Sequence, residues 1–173
     1  MRKVVMIASL LFVMSASALT AVVDGVTWYY ETYSDGTARI VGGALAYSGS
    51  VAVPDYVNGH RVVELDSCFM GCKGLISVTI PDGVVSVGWY GFMGCNNLVH
   101  ISFPASMSLI GECAFSGCSS LTSFEVDPQS HTYKVIENHL LTKDGLRLIR
   151  GPSIVDAVIP DGVIEIGVNA FSD

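Results

Sequence analysis

The sequence predicts a β-rich solenoid, one short parallel strand per coil of about 23 residues, closed at its amino end by a β-hairpin cap. Three observations predict it. The phrase Phe-Met-Gly-Cys-Lys-Gly-Leu at 69–75 returns as Phe-Met-Gly-Cys-Asn-Asn-Leu at 92–98 and Phe-Ser-Gly-Cys-Ser-Ser-Leu at 115–121, each 23 residues after the last. Apolar residues around Pro81 (Leu75, Val78, Ile80, Val84, Val87, then Gly88 and Phe92) have counterparts around Pro104 (Leu98, Ile101, Phe103, Met107, Ile110, Gly111, Phe115). The same places around Pro160 hold Ile154, Ala157, Ile159, Val163, Ile166, Gly167 and Phe171. A fixed period of this length marks units that bury their apolar sides only against one another.

The first 21 residues stand outside the pattern. Arg2 and Lys3 precede an almost wholly apolar run, Val4 to Met14, and small residues follow at Ala16-Ser17-Ala18 and Leu19-Thr20-Ala21. This is the layout of a secretory signal peptide, residues 1–21, cleaved near Ala18 or Ala21. The run is shorter than the ~20 apolar residues of a spanning helix; an uncleaved amino-terminal anchor is the alternative. The expected mature chain is secreted or held at the cell surface, begins near Val22 and has no membrane span.

Residues 22–50 read as the cap. Asp24 to Tyr33, the turn Ser34-Asp35-Gly36 and Thr37 to Val41 predict a hairpin turning at Asp-Gly. Trp28 and Tyr30 are expected to cover the first coil; an aromatic platform for sugar is the alternative reading.

The solenoid occupies residues 51–173. Its first unit is irregular, with a turn lengthened over 56–62 and Leu65 where later units have Gly. In the regular units Leu-x-x-Val-x-Ile alternates as a strand does, and Pro, having no N–H, ends the ladder. Pro-Asp-Gly at 81–83 and 160–162 is turn chemistry. The second apolar piece returns along another side of the coil. Phe69, Phe92, Phe115 and Phe171 are then expected to stack as one ladder, with Leu75, Leu98 and Leu121 beside it and Gly71, Gly94 and Gly117 permitting the bend. Residues 127–151 break the rhythm, and 138–149 predict a second hairpin turning at Asp144-Gly145. The chain stops at Asp173 inside the repeated phrase, so it is expected either to be a piece of a longer array or to have its open end covered by another molecule.

Cys72, Cys95 and Cys118 follow the period and read as small buried hydrophobes whose S–H groups face loop carbonyls. Cys68 takes a place held elsewhere by Ala114 and Ala170, and Cys113 is the expected exposed thiol. Export permits disulfides, yet the repeat accounts for these positions without them. No Cys-x-x-Cys or paired-His spacing suggests a metal, and no cofactor motif occurs.

The formal charge is −7; discounting Arg2 and Lys3 from the 9 basic residues leaves 7 against 16 acidic, or −9. Without a basic run, nucleic acid is disfavoured as a partner. Of the four histidines, His60, His131 and His139 fall in irregular segments, whereas His100 falls on a strand with its side chain outward. Ser77, His100, Ser123 and Asp156 should form one outward row and Thr79, Ser102, Glu125 and Val158 a second. Such a face is either a binding surface or a hydrophilic skin that keeps the sheet soluble. Glu125 and Asp156 are the acidic pair of a carbohydrate-active enzyme if there is one, but the insertion separates them and a short solenoid offers little cleft.

Ile80-Pro-Asp-Gly-Val-x-x-Val-Gly88, the three Phe-x-Gly-Cys-x-x-Leu copies and Ile159-Pro-Asp-Gly-Val-Ile-Glu-Ile-Gly-Val-Asn-Ala-Phe171 resemble the BspA-type leucine-rich repeat. The resemblance spans roughly residues 24–173, including the Asp-Gly-Thr-Ala hairpin and the Leu-Leu-Thr-Lys-Asp-Gly insertion. It implies a leucine-rich-repeat solenoid and a non-enzymatic recognition or adhesion role. The partners it implies are extracellular or host-matrix proteins and the proteins or glycans of other cell surfaces. It supplies no catalytic residues. The alternative function is a structural spacer within a larger surface protein.

Overall fold

A computed structural model describes residues 18–42, 48–154 and 156–171. Most of the expected leader lies outside the described residues. Among those described there are fifteen strands and no helix.

The cap is a three-stranded meander. β1 (Leu19–Val23) pairs antiparallel with β2 (Val26–Thr32), which pairs antiparallel with β3 (Ala38–Gly42). The turn between β2 and β3 falls at Asp35-Gly36 as expected, where Asp35 accepts from both the amide and the hydroxyl of Thr37. β1 begins at Leu19, three residues before the Val22 at which the cap was expected to start. Leu19, Thr20 and Ala21 align with Tyr30, Tyr29 and Trp28, and Ala21 is buried. Trp28 and Tyr30 are also buried, at 1% and 2% exposure, and the Trp28 indole meets Phe69 edge-on at 6.0 Å. Their inward faces overturn the sugar-platform reading, because an indole that seals the first ring of the ladder offers no face to a ligand.

Each regular coil carries two strands rather than one. On the first side β4 (Gly49–Ala52), β7 (Leu75–Thr79), β9 (His100–Phe103) and β11 (Ser123–Val126) form a parallel sheet in the order β11-β9-β7-β4. On the lateral side β3 is continued in parallel by β6 (His60–Leu65), β8 (Ser86–Val87) and β10 (Leu109–Ile110). The short β5 (Tyr56–Val57) folds back on β6 in the lengthened first turn. The two-residue strands are the returning apolar pieces, too short for a period of two to be read from sequence.

Between the two sides run the ladders. Phe69 and Phe92 stack with centroids 5.1 Å apart and planes 5° from parallel, and Phe92 and Phe115 at 5.8 Å and 15°. Leu75, Leu98 and Leu121 are fully buried. Cys72, Cys95 and Cys118 are buried free thiols; Cys95 Sγ donates to the Phe69 carbonyl at 2.9 Å and Cys118 Sγ to that of Phe92 at 3.0 Å. Burial pushes the Cys72 thiol up to about 11 and that of Cys68 well above the ordinary range. Gly71, Gly94 and Gly117 all take positive φ, 72–75°, where a side chain would be strained.

The insertion holds one strand more than expected. β12 (Tyr133–Ile136), β13 (His139–Thr142) and β14 (Arg147–Arg150) form an antiparallel meander, turning at Glu137-Asn138, both with positive φ, and again at Asp144-Gly145. β14 then pairs in parallel with β15 (Glu165–Ile166). The splice into the solenoid is a side chain: the Tyr133 hydroxyl accepts from the amide of Ile110 at 3.1 Å, where another strand would have taken it.

That splice removes Phe171 from the ladder. The Phe92 amide donates to the carbonyl of Ala114, and at the next level the Gly151 amide donates to Ala170. Gly151 therefore occupies the place of a ladder phenylalanine. Phe171 packs over it so closely that a Cβ on Gly151 would meet the ring at 2.1 Å. The ring lies edge-on to His139 and stays 41% exposed, not stacked in the core. Arg150 fills the junction instead, buried, donating to the carbonyls of Cys118 and Asn169 and to the Ser153 hydroxyl.

Candidate functional site

The parallel sheet β4-β7-β9-β11 sorts its side chains by period two. Val51, Val78, Ile101 and Phe124 point inward and are buried. Their neighbours point outward in two registered rows. Ser50, Ser77, His100 and Ser123 form the first, and Ala52, Thr79, Ser102 and Glu125 the second. Six of the seven residues proposed from sequence thus lie together on one face, joined by Ser50, which the irregular first unit hid. The seventh does not. Asp156 belongs to no strand and has a φ of 63°, although Ser153, just before it, still donates its amide to the carbonyl of Leu121 ahead of β11.

Along the first row the polar groups bond to each other. Ser77 Oγ donates to Ser50 Oγ at 2.7 Å, and His100 Nδ1 lies 3.0 Å from Ser123 Oγ. The other ring nitrogen of His100 faces Glu125 Oε2 at 3.9 Å, with the Glu125 side chain 70% exposed. His100 is the largest side chain in the rows and stands on the central pair of strands.

Serine, histidine and carboxylate in sequence are the ingredients of a nucleophile relay, yet the geometry does not assemble one. The carboxylate is beyond hydrogen-bonding distance, the sheet is open to water, and β9 is paired on both sides, leaving no amide pair to stabilise an oxyanion. Two cavities among the described residues lie away from this face: one of about 30 Å³, room for about one water, between Ile110, Phe115 and Arg150, and an open groove of about 390 Å³ beside Ile136, Val158 and Ile159. Among the described residues, no group of three His, Cys, Asp or Glu side chains gathers to hold a metal. Cys113, expected to be exposed, is half-buried, and its sulfur accepts from Asn169 Nδ2 at 3.2 Å.

No family model matches the sequence, and no curated protein matches it. Solved structures do. A leucine-rich repeat protein of T. pallidum superposes with a TM-score of 0.58 at 28% identity, over 84% of this chain and 64% of the other. One from Bacteroides ovatus ATCC 8483 superposes with a TM-score of 0.53 at 31% identity, over 60% of this chain and 28% of the other. The chain thus spans less than two thirds of the length of either. The fold is that of the leucine-rich-repeat solenoids of bacteria, a repeat architecture suited to binding proteins.

Proposed function

We propose that this chain is a non-enzymatic recognition module of the BspA-like kind, exported to the medium or the cell surface, and that it binds a protein through the face carrying Ser77, Thr79, His100, Ser102, Ser123 and Glu125. The observation that carries this reading is the two-row register of β7, β9 and β11, which holds donors and acceptors at fixed spacing on a rigid sheet. Such a surface loses little entropy when it docks. The sequence supports export through its leader-like start.

The test is binding of the protein, without residues 1–18, to immobilised extracellular-matrix proteins and to a glycan array, beside the variant His100→Ala, Ser102→Ala, Glu125→Ala. Protein binding lost in the variant supports the proposal. Binding unchanged in the variant, or confined to glycans, refutes it. Silence of both proteins favours the spacer role.

A further inference from the structure

A second surface lies on the lateral sheet. Its outward row runs Arg39, Glu64, Ser86, Leu109 in register across β3, β6, β8 and β10. Where the chain leaves β8, Trp89 stands 60% exposed, with Tyr90 at 44% and Leu109 at 60% close by in the coil pattern. The solenoid does not require an indole here. The residue following the glycine is Glu112 one coil later and Val168 in the last coil. Tryptophan and tyrosine are enriched among the residues that anchor protein interfaces, and here the two stand exposed side by side.

The ledge that carries it is rigid. A Cβ on Gly111 would meet the Trp89 Cα at 2.5 Å, and one on Gly88 would meet the Asp66 carboxylate at 2.9 Å, so successive coils touch backbone to backbone around the indole. The surroundings are acidic. Asp66 lies on the preceding coil and Glu112 on the following one, with Glu64 in the adjoining row. Arg39 pairs with Glu31 at 2.6 Å and Asp66 at 3.7 Å, and Arg147 with Glu112 at 3.4 Å and Glu165 at 2.9 Å. Glu64 accepts from the Tyr33 hydroxyl. Two guanidinium groups thus answer four carboxylates, with Glu64 bonded to a neutral phenol beside them, in a chain whose formal charge is already −7.

We propose that Trp89 and Tyr90, with this acidic rim, form a docking surface for a basic segment of a partner protein, an Arg or Lys side chain lying over the indole while its neighbours meet Asp66, Glu64 and Glu112. A ring face attracts a cation, and the surplus carboxylates attract the rest of a basic segment and repel an acidic one. The site is on a different side of the coil from the polar face and does not depend on it.

The chain has two tryptophans, and Trp28 is buried, so acrylamide quenching reports on Trp89. The probe is a fluorescein-labelled peptide of four Arg-Gly-Gly repeats, with a Glu-Gly-Gly peptide and maltoheptaose as comparisons, titrated against the full chain at low and moderate salt. The Arg peptide is expected to bind, to protect Trp89 from acrylamide and to weaken as salt rises. Trp89→Ala should weaken it about tenfold, within the span of a cation–π contact. Asp66→Asn with Glu112→Gln should weaken it and flatten the salt dependence, while the triple variant of the polar face binds as the parent does. Equal binding by Trp89→Ala at an unchanged melting temperature overturns the proposal. So does equal binding of the Glu peptide, or protection of Trp89 by the oligosaccharide alone.

Discussion

Replacing Phe92 by alanine tests the ladder at its centre. The ring is fully buried and lies between Phe69 at 5.1 Å and Phe115 at 5.8 Å. Truncating a buried phenylalanine costs about 3–5 kcal/mol through lost transfer energy and the cavity left behind. Two stacked neighbours, each worth about 0.5–1.5 kcal/mol beyond its area, place Phe92 in the upper half of that range. For a domain of this size each kcal/mol lowers the melting temperature by about 2–4 °C, so the expected loss is roughly 10–15 °C. Ser102→Ala, on the solvent side of the same coil, should stay within about 0.5 kcal/mol of the parent. Phe171→Ala, with its ring 41% exposed over Gly151, should lie between the two. Thermal unfolding followed by circular dichroism gives all three values. Equal melting temperatures for Phe92→Ala and Ser102→Ala would refute the ladder, and a Phe171→Ala loss as large as that of Phe92→Ala would refute its displacement by the meander.

Three further outcomes follow from the same packing. The Tyr33 phenol is pushed up to about 12 from an ordinary 10, by burial and by its hydrogen bond to Glu64. Its protonated form is the one the fold favours, so this contribution is present below about pH 10 and is lost as pH rises toward 12. Burial raises the Tyr133 phenol as well, so ultraviolet titration should find late phenols of which Glu64→Gln brings only that of Tyr33 part of the way back down. Of the five thiols, Cys113 should react first with a disulfide reagent in the native protein, and the buried four only on unfolding; native reaction of Cys95 or Cys118 would contradict their bonds to the ladder carbonyls. If the chain is processed on export, the mature protein should begin at Leu19, because a cut after Ala21 would delete three of the five residues of β1, among them the partners of Trp28 and Tyr30. Mass spectrometry of the secreted product decides, and a protein starting at Val22 would overturn that expectation.

Much of this was legible in the amino-acid order. The 23-residue spacing of Phe69, Phe92 and Phe115, the alternation through Val78, Ile101 and Phe124, and the outward rows from Ser77 to Glu125 all follow from whether a position faces in or out. That is a local property, set by a period of two along a strand and repeated at each coil. What lies across the molecule was not legible. That Tyr133 would take the Ile110 amide, that Gly151 would occupy the rung beneath Phe171 and that Asp156 would leave the sheet are decisions about which distant segments meet. Sequence determined the coil and its two faces, because each apolar side must find its own repeat. Only the tertiary structure decided where the ladder ends and what fills the junction behind Phe115, because those contacts join segments that share no period.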